Sequence, residues 1–91
     1  MQRRLECIVH GEVQGVSFRA FTVEVARELG LVGFVRNRSD DTVEVVAEGK
    51  EVKLLEFIEQ LTTGYRFARV ERIDKAWGEP TGAFTDFRVT R

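Results

Sequence analysis

Apolar and polar residues alternate near the start of the chain, and this alternation predicts a β-strand over residues 4–10. Leu5, Cys7 and Val9 fall on one face of the strand, which is the face expected in a core. Ile8 falls on the opposite face. An apolar residue there favours a central strand that is covered at least partly on both sides.

Two segments have the three- and four-residue spacing of apolar positions that is typical of helices. The first predicts a helix over residues 20–29, and Gly30 follows where a helix C-terminal glycine is common. Its apolar stripe consists of Phe18, Phe21, Thr22, Val25, Ala26 and Leu29. The second predicts a helix over residues 51–62, after Gly49 and Lys50. Its inner face consists of Leu54, Phe57, Ile58 and Leu61.

The remaining apolar segments predict strands over residues 32–37, 42–48, 68–77 and 84–90. The polar run at residues 38–41 predicts a hairpin turn between the first two of these strands. The resulting order is strand-helix-strand-strand-helix-strand with a short terminal strand. This is the split βαβ pattern (βαββαβ) of ferredoxin-like α+β folds.

This fold class predicts a mostly antiparallel sheet with two helices packed on one face and a short terminal strand. Residues 1–91 are expected to form one domain, because 91 residues with 43% apolar side chains suffice for one modest core. The first and second strands should run parallel with the third between them. The loop after the first strand and the end of the second strand are therefore expected at the same edge of the sheet.

Charge and rare residues narrow the functional classes. The 14 basic and 15 acidic residues leave a net charge of −1, which argues against a basic protein that coats nucleic acid. The single cysteine, Cys7, and the single histidine, His10, exclude a multi-cysteine or histidine-rich metal site. No apolar run approaches the roughly 20 residues that span a bilayer, and no signal peptide is recognisable. We therefore expect a cytoplasmic protein without a nucleic-acid or membrane partner.

The segment of residues 11–19 joins the first strand to the first helix and contains Gly11 and Gly15. Such a segment can aim backbone N–H groups at an anion near the positive end of a helix. Arg19 adds a planar, permanently charged guanidinium that suits phosphate or carboxylate. An anion-binding loop and an ordinary strand-to-helix turn with a surface arginine are both consistent with these residues.

The second segment with unusual chemistry is the end of the second strand, where Asn37 offers one acceptor and two donors. Taken alone, an asparagine at a strand end is more often a turn residue. Together, however, the two segments resemble the signature motifs of the acylphosphatases. The motifs read Gly11-x-Val13-Gln14-Gly15-Val16-x-Phe18-Arg19 and Gly33-Phe34-Val35-Arg36-Asn37, followed by Val43 and Gly49.

The resemblance implies a hydrolase that splits the carboxyl-phosphate bond of acyl phosphates into carboxylate and inorganic phosphate. It implies that Arg19 and Asn37 are catalytic, with Arg19 holding the phosphoryl group and Asn37 positioning the attacking water. It also implies phosphate binding by the backbone amides of Gln14, Gly15, Val16, Ser17, Phe18 and Arg19. The family acts without a metal or an organic cofactor, and we expect a monomer whose partners are a small acyl phosphate and inorganic phosphate.

One departure from the family pattern concerns the hairpin turn, which usually carries a glycine where this chain has Asp41. If this position needs a positive φ, a residue other than glycine costs roughly 1 kcal/mol there. Two other residues invite a catalytic interpretation. We interpret Cys7 as a buried apolar residue and His10 as a residue on a strand face.

Two functions from other classes remain open at this point. A phosphate- or anion-binding regulatory module would keep the loop without turnover, and acylphosphatase-like domains do occur at the front of larger carbamoyl-transferring proteins. A ferredoxin-like nucleic-acid binder would use the aromatic and basic residues at 65–69. The net charge of −1 disfavours the second alternative.

Overall fold

The computed structural model describes residues 1–15 and 17–91, which form five strands and two helices. In chain order the elements are β1 (Gln2–Glu12), α1 (Phe18–Glu28), β2 (Val32–Asn37), β3 (Val43–Lys50), α2 (Glu51–Thr63), β4 (Arg69–Gly78) and β5 (Phe87–Val89).

The strands form one sheet in the order β4-β1-β3-β2-β5. β3 is antiparallel to both β1 and β2, so β1 and β2 run parallel with β3 between them. β4 is antiparallel to β1, and β5 pairs in parallel with β2. The ferredoxin-like prediction is confirmed, and the C-terminal ends of β1 and β2 lie at the same edge of the sheet.

The core lies between the helices and one face of the sheet. Leu5, Cys7 and Val9 are at most 1% exposed, as the alternation predicts. The helices close this face with apolar side chains that include Phe18 and Phe57. Cys7 is therefore a buried residue, as interpreted from the sequence, and its burial raises the pKa of the thiol to about 12. Neither of the described helices is long and apolar enough to cross a membrane.

A bulge lets β1 continue past its predicted end at residue 10. The register of β1 against β4 shifts between His10 and Gly11, and the strand then extends to Glu12. Gly11 has a φ of +133°, and a Cβ there would lie 2.0 Å from the carbonyl oxygen of Arg69. Only glycine fits this close approach, which delivers the chain into the loop before α1.

Besides the two ends of β1, which runs over residues 2–12 instead of 4–10, three predicted boundaries are wrong by more than one residue. α1 begins at Phe18 instead of residue 20. Gly49 and Lys50 belong to β3, where they pair with Arg3 and Gln2 of β1. The last strand is short, Phe87–Val89 instead of 84–90, because the residues before it follow a different path.

Residues 79–84, which we call the strap, run across the face of the sheet that points away from the helices. Their anchor is Glu48 of β3, which is only 3% exposed. Its carboxylate accepts hydrogen bonds from the backbone N–H of Thr81 (3.0 Å), the Thr81 hydroxyl (2.9 Å) and the N–H of Gly82 (3.1 Å). Arg4 donates a further bond at 2.7 Å. The strap therefore satisfies a buried charge and covers part of the second face of the sheet.

Glu48 makes the strap sensitive to acid. Burial by itself raises the pKa of this carboxyl group, but the hydrogen bonds from Thr81, Arg4 and Gly82 outweigh it and lower the pKa to about 2. The folded state thus holds Glu48 ionised at a pH where the unfolded chain protonates it. The resulting stabilisation is present above the ordinary pKa of 4.5 and is lost as the pH falls towards about 2.

We expect Glu48→Gln to lower the free energy of unfolding by on the order of 2–3 kcal/mol at about pH 7, because the charged acceptor is lost. The difference between the wild type and the variant should narrow as the pH falls from about 4.5 to 2, where the wild-type carboxylate is also neutralised. Urea denaturation at several pH values measures both effects. Glu71→Gln, an exposed carboxylate on β4, is the control. A gap that stays constant down to about pH 2 would contradict this account of Glu48.

Candidate active site

A cavity of about 410 Å³ opens at the sheet edge where β1 and β2 end and α1 begins. It is lined by Val13, Gly15, Ser17, Phe18, Arg19, Ala20, Asn37 and Val89. The fold thus brings Arg19, in the first turn of α1, to the same cavity as Asn37, the last residue of β2. The loop after β1 and the end of β2 therefore lie together, as the predicted topology requires.

Asn37 presents an unsatisfied acceptor to this cavity. It pairs with buried Val43 in the sheet register, so its side chain shares the face that points towards the helices. Within residues 1–15 and 17–91, its Oδ1 is the buried side-chain polar atom that has no hydrogen-bond partner. Leaving such an atom unpaired costs roughly 1–3 kcal/mol. An acceptor kept unpaired at a cavity wall is available to a water molecule or a substrate.

Arg19 brings an uncompensated positive charge to the same cavity. Its side chain is half-buried, and no ion pair or hydrogen bond joins it to another described residue. The two arginines next to Asn37 do have carboxylate partners, because Arg36 pairs with Glu44 and Arg38 pairs with Asp40. A guanidinium without a carboxylate partner can bind an anion through two parallel hydrogen bonds.

The start of α1 adds backbone donors. The first helical N–H bond runs from Phe21 to the carbonyl of Ser17, so the N–H groups of residues 18–20 have no carbonyl partner within the helix. Ser17 precedes the helix in the left-handed region (φ 65°, ψ 21°), and its hydroxyl does not cap the helix. The first turn contains no acidic residue. These N–H groups and the positive end of the helix dipole therefore remain open to an anion.

The hairpin that follows Asn37 is held in place by side chains. The amide Nε2 of Gln14 donates to the carbonyl oxygens of Arg38 (2.9 Å) and Thr42 (2.8 Å). Asp40 accepts bonds from the hydroxyl and the N–H of Thr42, and these bonds lower the pKa of the Asp40 carboxyl group. Asp41 has a φ of +69°, so this turn does adopt the positive φ considered in the sequence analysis. The strained turn is therefore fixed by bonds on both sides.

Five of the residues named as site residues from the sequence line the cavity: Gly15, Ser17, Phe18, Arg19 and Asn37. Gln14 lies next to the cavity with its side chain turned to the hairpin. Val16 lies outside the described residues.

Sequence reasoning missed three lining residues, Val13, Ala20 and Val89. Val13 stands within the first motif, and Ala20 follows Arg19 in the first turn of the helix. Val89 shares the alternation of buried Phe87, which was the available signal for it.

His10 lies away from the cavity. Its Nε2 is 2.9 Å from Asp74 Oδ2, and Arg72 approaches the same nitrogen, on the face of the sheet opposite the helices. The hydrogen bond with His10 is the main reason why the pKa of the Asp74 carboxyl group is lowered. The interpretation of His10 as a strand-face residue agrees with this position. In the part of the chain that the structure describes, no three His, Cys, Asp or Glu side chains are grouped closely enough to hold a metal ion.

Comparison with known proteins gives consistent matches. The family model described as Acylphosphatase matches residues 5–89. The acylphosphatase of Thermus thermophilus is 49% identical over 79 residues, which are 87% of this chain and 90% of that protein. The crystal structure of acylphosphatase from Bacillus subtilis gives a TM-score of 0.93 at 35% identity, covering 98% of this chain and 99% of that chain.

A longer protein also contains this fold. The crystal structure of full-length HypF in its phosphate- and nucleotide-bound form gives a TM-score of 0.91 at 25% identity. The match covers 100% of this chain but only 12% of HypF.

Proposed function

The chain belongs to the acylphosphatase family, and we propose that it hydrolyses acyl phosphates in the cavity between α1 and the end of β2. In this proposal Arg19 and the backbone amides of the loop hold the phosphoryl group, and Asn37 positions the attacking water. The loop amides are those of Gln14, Gly15, Val16, Ser17, Phe18 and Arg19.

The observation that carries this assignment is the pairing of two unsatisfied groups in one cavity. Among the described residues, the Arg19 guanidinium has no carboxylate partner and the buried Asn37 Oδ1 has no hydrogen-bond donor. An acyl phosphate with a water molecule behind its phosphorus satisfies both groups at once. A purely structural arginine and asparagine would instead be expected to have partners within the protein.

The chemistry needs little beyond positioning and charge. The oxygen of the water attacks phosphorus, and the bond from phosphorus to the acyl oxygen breaks. The carboxylate leaves with the electron pair of that bond. Charge spreads over the phosphoryl oxygens in the transition state, where the guanidinium and N–H groups stabilise it. Asn37 Oδ1 accepts a hydrogen bond from the water and so orients its lone pair towards phosphorus.

The proton of the water goes to a phosphoryl oxygen of the substrate in this proposal. A carboxylate is a good leaving group, so a strong general acid is not required. The products are the carboxylate and inorganic phosphate. The described lining residues contribute a guanidinium, an amide and backbone N–H groups to this step, and none of these groups is used as a general base.

We expect kcat to be nearly flat between about pH 5.5 and 7.5, because the proposed step uses no general base of the protein. Steady-state hydrolysis of benzoyl phosphate across this range measures the profile. His10→Ala should have the same flat profile, because His10 bonds to Asp74 away from the cavity. A single-ionisation limb near about pH 6.5 that persists in His10→Ala would reveal an unidentified base and overturn the proton route.

A phosphate-binding module without turnover is the second candidate. The match to 12% of HypF favours it, because the same fold there forms part of a longer protein. Such a module would bind inorganic phosphate through Arg19 and leave acyl phosphates intact. Binding and turnover measured on the same preparation separate the two functions.

We further propose that the protein works as a cytoplasmic monomer on a small acyl phosphate, with residues 1–91 as one domain. One observation supports the single domain, because a single core cluster includes residues of both helices. A kcat that does not change with enzyme concentration would agree with a monomer.

A further inference from the structure

We propose that Gln14 is a positioning residue that fixes Asn37 by bonding the phosphate loop to the β2–β3 hairpin. The inference rests on the proposed function, because it concerns how Asn37 holds the attacking water. It gives the Gln14 side chain a role distinct from that of its backbone amide in phosphate binding.

The hydrogen bonds of Gln14 use the full donor capacity of its amide. Nε2 carries two N–H groups, and the two acceptors are Arg38 O at 2.9 Å and Thr42 O at 2.8 Å. These acceptors belong to residues 24 and 28 positions further along the chain. A single side chain thus joins the loop before α1 to both arms of the hairpin.

These bonds lie directly beyond Asn37. The ladder between β2 and β3 ends at the pair Asn37 and Val43. The next rung is a single bond from the N–H of Arg38 to the carbonyl of Thr42, at 2.9 Å. Gln14 bonds to the two carbonyls of that rung. It therefore holds the backbone immediately after Asn37, where a change in twist would move the Asn37 side chain.

The hairpin needs this support because its turn is strained. Asp41 has a φ of +69°, where glycine is favoured over other residues. Asp40 stabilises the turn from within through Thr42, but that bond does not connect the hairpin to the phosphate loop. Among the described contacts, the amide of Gln14 supplies that connection. It sets the distance between the loop that binds phosphate and the residue that orients water.

A double-mutant cycle tests this role through kcat for benzoyl phosphate. We expect Gln14→Met, which keeps side-chain length but removes both donors, to lower kcat by about 10–100-fold. Affinity for inorganic phosphate should change by less than about threefold, because Arg19 is intact. In an Asn37→Ala background, Gln14→Met should lower kcat by less than about twofold, since no oriented water remains to be lost.

The control variant is Ile58→Val, which trims a partly buried side chain of α2 that packs against the core. It should lower thermal stability while keeping kcat within about twofold of the wild type. This control separates a loss of positioning from a general loss of stability.

Gln14→Glu provides a second test, which also applies if Gln14→Met fails to fold. An ionised glutamate offers only acceptors to the two carbonyls, whereas a protonated one donates a hydrogen bond. We therefore expect kcat of Gln14→Glu to rise as the pH falls from about 7.5 to 5.5, the range over which the wild type is expected to be flat. A flat profile for this variant would overturn the inference.

Each failure has a distinct signature. A wild-type protein that hydrolyses no acyl phosphate refutes the proposed function itself. If the wild type is active and Gln14→Met leaves kcat unchanged, the role of Gln14 is refuted. An active wild type in which Gln14→Met costs the same factor with and without Asn37 also refutes it, because Gln14 then acts independently of Asn37.

Discussion

Replacing Arg19 with alanine is expected to lower kcat/KM for benzoyl phosphate by about 10³-fold or more. The guanidinium is the charged side chain among the described lining residues, and no carboxylate of the described chain neutralises it. Its loss should weaken inorganic phosphate binding as well as turnover, because the charge attracts both the bound anion and the transition state. Steady-state kinetics and calorimetric titration with phosphate measure the two effects.

Arg19→Lys should recover little of this loss. A lysine ammonium is a point charge and cannot form the two parallel hydrogen bonds of the planar guanidinium. Arg27→Ala is the matched control, because it removes the same charge from the same helix. Arg27 pairs with Asp86, outside the cavity. Wild-type kinetics in Arg19→Ala, or equal losses in both alanine variants, would remove Arg19 from the phosphate site.

Asn37→Ala is expected to lower kcat by at least about a hundredfold while inorganic phosphate affinity stays nearly unchanged. The side chain is assigned to the water and not to the anion, so its loss affects the reaction step. Removing the buried Oδ1 breaks no hydrogen bond with the described residues, because it has no partner among them. The variant should therefore be at least as stable as the wild type, which thermal denaturation checks.

Gln60→Ala is the control for Asn37→Ala, because it removes an exposed amide on α2, far along the chain from the cavity residues. It should keep wild-type kcat. A folded Asn37→Ala protein with wild-type kcat would exclude Asn37 from the mechanism. A large loss of phosphate affinity would instead place Asn37 among the phosphate ligands.

The sequence predicted those parts of the structure that depend on regular spacing. Alternation placed Leu5, Cys7 and Val9 in the core, and the helical stripe placed Phe18 and Val25 there, all of which are buried. The order of the elements then determined the topology. That topology was enough to bring the end of β1 and the end of β2 to one edge, and hence Arg19 and Asn37 to one cavity.

Contacts between residues that follow no regular spacing in the sequence could not be predicted in this way. Thr81 of the strap donates hydrogen bonds to Glu48, which stands 33 positions earlier in the chain. No local sequence pattern predicts these bonds. Phe84, predicted within the last strand, packs against Phe34 with ring centroids 5.9 Å apart. The strand begins only at Phe87, after the strap has crossed the face of the sheet that points away from the helices.

The start of α1 shows a different limit. A serine, threonine, aspartate or asparagine in the sequence predicts a helix start, because its side chain can accept a hydrogen bond from an N–H group of the first turn. Ser17 occupies that position in a left-handed conformation and makes no such bond. The expected residue type is thus present in the sequence, but the capping bond is absent and the first-turn N–H groups are left open. In the proposed mechanism this open end receives the phosphate. The side-chain bonds of Gln14 were likewise hidden, although its position in the motif was recognised.

The most direct test of the account is hydrolysis of benzoyl phosphate by the purified protein in the presence of a metal chelator, with Arg19→Ala and Asn37→Ala measured in parallel. The account predicts turnover that the chelator does not reduce, lost in both variants, with phosphate binding lost only in Arg19→Ala. Phosphate binding without any turnover in the wild type would contradict it and favour the binding module. Turnover that survives in both variants would place the chemistry outside this cavity.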